Sequence, residues 1–158
     1  MARSAKQTEE AMQIRPADSD LTEFIGYNLK RVLSLVQADL ALVLGMLELR
    51  AVSFSALSIV VHNPGINQTR LAEGLKIERS NLVQLVDELS DRGLLARTPV
   101  AGDRRRYALM PTTAGMRLCA KAEAAVAEHE ERVFAMLDPT ERATLMVLLR
   151  KIRTEWAC

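Results

Sequence analysis

Residues 94–115 read Leu-Leu-Ala-Arg-Thr-Pro, then Val-Ala-Gly-Asp-Arg-Arg-Arg, then Tyr-Ala-Leu-Met-Pro-Thr-Thr-Ala-Gly. Two short apolar runs flank a Gly-Asp turn crowded with guanidinium groups, the pattern of a β-hairpin with a cationic tip. Arg97, Arg104, Arg105 and Arg106 face a single acid, Asp103, in a chain whose 21 Lys+Arg and 20 Asp+Glu otherwise nearly cancel. Positive charge is therefore concentrated in one place. Guanidinium forks match phosphate oxygens in pairs and fit the acceptors of a narrow minor groove, so such a hairpin suits a polyanion. Standing alone, it would read better as a solvated tip kept soluble by arginine.

Two short helical patterns precede it. In residues 67–75, Asn67 is placed as an N-cap, with Leu71, Ala72 and Leu75 on one face. In residues 79–89, Leu82, Leu85, Val86 and Leu89 form an i, i+3, i+4, i+7 stripe that leaves Ser80, Asn81, Gln84 and Glu88 on the other side. Only residues 76–78 separate the two, which makes a helix-turn-helix, and Gly93 after Arg92 stops the second helix. A helix-turn-helix followed at once by a basic hairpin is a winged helix. A recognition helix in the major groove offers amides and hydroxyls to base edges, and Asn or Gln pairs bidentately with adenine. Asn81 and Gln84 are therefore the base-reading candidates, while Arg79 and Ser80 reach bases or phosphate. The wing arginines hold phosphate or enter the minor groove. The competing reading of the helix residues is an ordinary solvated face.

Asn63-Pro64-Gly65-Ile66-Asn67-Gln68-Thr69 leading into Leu71-Ala72, Arg79 onward to Leu89, Arg92-Gly93-Leu94-Leu95-Ala96-Arg97, and Asp103-Arg104-Arg105 closing on Thr112 and Gly115 resemble the MarR (multiple-antibiotic-resistance regulator) family of winged-helix repressors. The resemblance implies a mainly α fold with a small β-hairpin wing. It divides the chain into a flexible arm (1–18), a helical dimerisation region (19–48 and 116–158) and a DNA-binding winged helix-turn-helix (49–115). It implies a homodimeric, sequence-specific repressor on an inverted-repeat operator, released by a small aromatic or acyl-CoA-type effector. DNA contacts would come from Gln68, Thr69, Arg79, Ser80, Asn81, Gln84, Arg97, Asp103, Arg104, Arg105 and Arg106. The effector would lie between dimerisation helices and winged helix, where Tyr27, Arg31, His62 and Met116 supply the few polar groups and soft packing such a crevice needs. Against that, Arg31 reads as a surface charge, His62 as a helix-end residue favoured by the dipole, and Met116 as packing.

Three positions depart from the family pattern. Lys76 stands where glycine is common, so the corner is expected to form without a glycine in the left-handed region. Arg50 replaces a capping threonine, and Ser53 is expected to take over as cap. Pro111, which cannot donate to a ladder, is expected to end the second wing strand at Met110.

Outside this head the chain reads as long apolar helices: residues 21–47, opened by an Asp20/Glu23 capping box, then 112–137, then a last one from Pro139 to the C-terminus. The last carries Leu145, Met146, Val147, Leu148, Leu149, Ile152 and Trp156 around most of its circumference, so something must cover it. A chain of 158 residues, 49% apolar, makes one domain with little core left over. The two ends are therefore expected to interlock with those of a second copy, setting the recognition helices about 34–36 Å apart on successive major grooves. No apolar run approaches bilayer length and residues 1–20 lack a signal peptide's apolar stretch, so no membrane partner and a cytoplasmic location are expected. Cys119 and Cys158 form no zinc or redox motif, and no phosphate-cradling loop or nucleophile–base set occurs. The expectation is no enzyme, no cofactor and no metal, with duplex DNA, a second copy and a small effector as partners. The rival is a winged helix used only to bind protein, against which the arginine-rich wing argues.

Overall fold

Apolar spacing sets the helices and capping chemistry sets their ends. The computed structural model describes residues 20–100 and 103–155. Its elements are α1 (Ile25–Gly45), α2 (Ala51–His62), β1 (Ile66–Asn67), α3 (Gln68–Leu75), α4 (Arg79–Asp91), β2 (Leu95–Val100), β3 (Asp103–Pro111), α5 (Thr113–Val133) and α6 (Pro139–Glu155). Two compact units, residues 1–37 and 38–158, meet within α1.

In the first unit a turn over residues 20–23 precedes α1. Asn28 Nδ2 ties it to the helix by donating to the carbonyls of Thr22 (2.6 Å) and Phe24 (3.0 Å). The helix begins at Ile25, four residues after the expected start at Leu21. Phe24, Ile25, Val32, Leu33 and Leu35 are all exposed on the single chain.

The second unit is built around α4. Leu82, Leu85, Val86 and Leu89 are buried with Ala56, Leu57 and Val60 of α2, Leu71 of α3, Leu94 just before β2, Leu95 of β2, Leu109 of β3 and Cys119 of α5. A smaller cluster joins Leu44, Leu49 and Ala122. Arg50 opens α2 without a side-chain cap and instead pairs with Glu88 of α4. Ser53 does not cap: it lies three residues inside the helix, wholly buried, with its hydroxyl unpartnered. Asn67 caps α3 as expected, accepting from the Arg70 N–H at 2.9 Å. The corner forms without a glycine, as expected, and Lys76 itself takes the left-handed conformation at φ 53°, ψ 43°. Gly74 stays inside α3, facing Ile59.

Gly93, at φ +67°, stops α4; its N–H donates to Ser90 O (2.8 Å) and that of Leu94 to Leu89 O (2.9 Å). The chain then enters an antiparallel sheet of order β1-β3-β2. β3 runs through Pro111, opposite Leu95, one residue beyond the expected end at Met110. The proline is tolerated because Thr112 N donates to Leu94 O (3.1 Å), which leaves the next pair, Leu95 and Pro111, at a non-hydrogen-bonding position of the ladder.

Thr112 locks the base of this hairpin. Its hydroxyl donates to the Gly93 carbonyl at 2.6 Å and accepts the Gly115 N–H at 3.0 Å, capping α5. A Cβ on Gly115 would lie 2.1 Å from the Leu94 carbonyl oxygen, so only glycine permits this approach. The helix ends at Val133, short of the expected residue 137, because a new cap intervenes. Asp138 Oδ1 accepts from the Thr140 and Glu141 N–H groups (2.7 and 2.9 Å), while Glu141 Oε2 accepts from Asp138 N (2.9 Å). That reciprocal pair starts α6. No residue of α6 from Pro139 to Thr154 is buried, and Val147 and Leu148 are 61% and 51% exposed. Trp156 and Cys158 lie outside the described residues.

Two substitutions probe this frame in urea unfolding at fixed protein concentration. Gly115→Ala is expected to destabilise by at least about 2 kcal/mol, since a backbone carbonyl must move to admit the methyl group. Lys76→Gly is expected to stabilise by about 0.5–1 kcal/mol, the relief of left-handed strain less glycine's larger entropy loss. A neutral Gly115→Ala, or a destabilising Lys76→Gly, would contradict the respective geometry.

Candidate nucleic-acid interface

The side of α4 turned from the core carries Arg79, Ser80, Asn81 and Gln84, all exposed. Sequence periodicity placed them there, and the buried stripe of Leu82, Leu85, Val86 and Leu89 is what turns them outward. Thr69 is exposed and Gln68 half-buried at the start of α3. Val83 joins the exposed set at 40%. It was not among the expected DNA contacts, although its place one residue after Leu82 signals an outward position.

The wing places its arginines differently. Arg97, on β2, is ion-paired with Asp87 of α4. Its guanidinium is thereby engaged in fastening the wing to the recognition helix. Asp103, Arg104, Arg105 and Arg106 form the first residues of β3, and Asp103 stands opposite Val100 after a register irregularity following Pro99. Residues 101 and 102, where the Gly-Asp turn was expected to begin, lie outside the described residues. Tyr107, paired with Pro99, is a further exposed aromatic on this strand.

Two of the four effector candidates belong to the first unit and two to the second. In the first unit, Arg31 Nη1 donates to the Tyr27 hydroxyl (3.2 Å) and lies 5.8 Å from the centre of its ring. In the second, His62 Nε2 lies 2.8 Å from Glu123 Oε1. The same oxygen accepts from Ser58 Oγ (3.0 Å) and Cys119 Sγ (3.4 Å). Met116 is exposed on α5. Sequence reading named His62 and Met116 but missed Ser58, Cys119 and Glu123. The available signal was two i, i+4 pairs, Ser58/His62 and Cys119/Glu123, whose meeting depends on how α2 and α5 pack.

Burial works against ionisation of Glu123, but hydrogen bonds from His62, Ser58 and Cys119 outweigh it and hold the carboxyl below the usual glutamate value. This brace between α2 and α5 therefore contributes stability above the ordinary glutamate range and loses it as pH falls through the lowered value. Cys119 responds oppositely. Burial, then the hydrogen bond to Glu123 and its negative charge, push the thiol up to about 11. Among the described residues no group of three or more His, Cys, Asp or Glu side chains is arranged to hold a metal ion. No described helix is long and apolar enough to cross a membrane.

A helix with a polar outer face, closed at its end by an arginine-bearing hairpin, defines a winged-helix DNA-binding protein. A profile of the MarR family matches residues 47–106. A transcriptional regulatory protein for the hcr operon of Thauera aromatica is 31% identical over 147 residues, covering 87% of this chain and 89% of that protein. The transcriptional repressor CouR bound to a 23-mer DNA duplex superposes with a TM-score of 0.82 at 36% identity, over 88% of this chain and 99% of that one. CouR from Rhodococcus jostii RHA1 bound to p-coumaroyl-CoA gives 0.75 at 33% identity, over 84% and 93%. The chain belongs to the MarR family of transcriptional regulators.

The raised thiol sets a measurable expectation. At pH 8 only roughly one Cys119 in a thousand is thiolate, and the thiolate is the reacting form. In a Cys158→Ser variant, native protein is expected to react with a disulfide reagent at least about 100-fold more slowly than after unfolding in urea. Rapid native labelling would show an accessible thiolate and contradict this environment.

Proposed function

We propose that the protein is a homodimeric repressor that grips an inverted-repeat operator through two copies of α4 and their wings, and leaves it when a small aromatic acyl-CoA-type ligand binds. The observation that carries the reading is α4, sealed to the core by four apolar residues while Arg79, Ser80, Asn81 and Gln84 remain exposed. Asn81 and Gln84 read base edges; Arg79 and Ser80 reach bases or phosphate. Gln68 and Thr69, at the start of α3, contact the backbone. Arg104, Arg105 and Arg106, closed by Asp103, meet phosphate or the minor groove, whereas Arg97 positions the wing through Asp87. The complex of CouR with a 23-mer duplex supports double-stranded DNA as the partner.

The dimer reading is supported by apolar residues of α1 and α6 that the single chain leaves exposed, which a second copy would cover. On this reading residues 19–48 and 116–158 form the dimerisation region and residues 49–115 the reading head. The work is binding in the cytoplasm, with no catalysis. The p-coumaroyl-CoA complex of CouR supports an aromatic acyl thioester as effector. Tyr27, Arg31, His62 and Met116 are its candidate contacts. Such a ligand acts by favouring one dimer geometry, so operator must weaken its binding as much as it weakens operator binding.

Operator selected from random duplex tests the assignment. Asn81→Ala or Gln84→Ala is expected to cost about 1–3 kcal/mol on the selected site and little on random duplex. Arg105→Ala is expected to weaken binding to both and to reduce the slope of log affinity against log salt by about one, if it holds a phosphate. Equal losses on both duplexes for Asn81 and Gln84 would remove their reading role.

A further inference from the structure

The outer face of α4 is engaged toward its C-terminal end. Asp87 is ion-paired with Arg97 of β2, and Glu88 with Arg50, the residue before α2. These two acids, which would repel phosphate, are thereby matched by guanidinium groups, and the part left open to a groove is the stretch 79–84. Leu82 is buried there, while Arg79, Ser80, Asn81, Val83 and Gln84 are exposed. Among the described residues, Val83 is the one exposed large apolar side chain of α4. It lies one turn after Arg79 and one turn before Asp87, on the flank of the helix that Arg97 ties to the wing. A lone exposed valine on an ordinary surface needs no explanation, but one set between side chains that hydrogen-bond base edges does. Valine can neither donate nor accept. In a helix its β-branched side chain holds one χ1 rotamer, so both methyl groups are fixed in place before DNA arrives. The major groove offers an apolar partner of matching size, the 5-methyl group of thymine.

We propose that Val83 packs against the 5-methyl group of a thymine beside the base pair that Gln84 reads, which makes it a specificity-determining residue for the operator. The inference rests on the reading of α4 as the major-groove helix and adds an apolar contact to its hydrogen bonds. An amide pairs with N7 and N6 of adenine but does not sense the methyl group of a neighbouring pair, whereas a fixed apolar side chain does. Cytosine has a hydrogen where thymine has the methyl and an amino donor beside it, so the contact favours T over C at one position in each half-site. Excluding water from one methyl group is worth roughly three- to fivefold in affinity. Two-fold symmetry applies that factor twice.

Deoxyuridine in place of thymidine removes only the methyl group and leaves base pairing and the hydrogen-bonding groups of the groove intact. The test replaces each thymine of the selected operator in this way, symmetrically in both half-sites, and measures binding of the full-length protein and of Val83→Ala by fluorescence anisotropy. Alanine favours the helix, leaves the buried stripe untouched and withdraws both valine methyl groups from contact. The unaltered protein is expected to lose roughly tenfold in affinity at one thymine position per half-site. Val83→Ala is expected to bind the thymine duplex about as weakly as the unaltered protein binds the uracil duplex, to lose nothing further on uracil, and to bind random duplex as before. Absence of any uracil-sensitive thymine would overturn the proposal. So would an equal uracil effect in Val83→Ala, or a loss in that variant as large on random duplex as on operator. If Asn81→Ala and Gln84→Ala still lose selectivity in those cases, the groove reading stands without the valine contact; if they lose none, both fall together.

Discussion

The approach of Gly115 to the Leu94 carbonyl is the constraint on which the reading head depends. Within a few residues the chain ends α4, begins β2, returns along β3 and begins α5, and all four junctions meet at Thr112. Its hydroxyl serves two of them, donating to the carbonyl before Leu94 and accepting from the amide of Gly115. This lock fixes the base of the hairpin against the end of α4 and the start of α5. With it, and with Arg97 joined to Asp87, wing and recognition helix form one rigid implement. Rigidity matters because groove recognition needs several side chains in register at once.

The same economy governs α5. One end of the helix is fastened to the wing; nearer its middle, Glu123 draws donors from α2. Farther along, Asp39 of α1 is shared by Arg132 and the buried His129, whose Nε2 lies 3.2 Å away. A displacement of α5 therefore cannot remain local.

The apolar surface of α6 explains why a chain of this size is incomplete alone. Its capping box and the Arg142 contacts to Glu131 and the Phe134 carbonyl define its start with care. Yet the helix buries no side chain from Pro139 to Thr154 in the single chain. A helix so well begun and so poorly covered makes sense as half of an interface, where burial is supplied by a symmetric partner.

Sequence alone determined what depends on local periodicity and chain chemistry: the buried stripe of α4, the Asn67 cap, the Gly93 stop and the hairpin. Each follows from spacing or from the backbone freedom of one residue type. It misjudged positions where neighbours override propensity. Ser53 lost its capping role because it lies inside α2, facing the core; Pro111 stayed in the strand because its ladder position asks for no donor. Only tertiary structure could engage Arg97 with Asp87 or gather Ser58, His62, Cys119 and Glu123 around one oxygen. Apart from Cys119 and Glu123, four residues apart on α5, those contacts join residues ten to sixty-five positions apart, and no periodicity within a single element specifies which faces of two elements will meet.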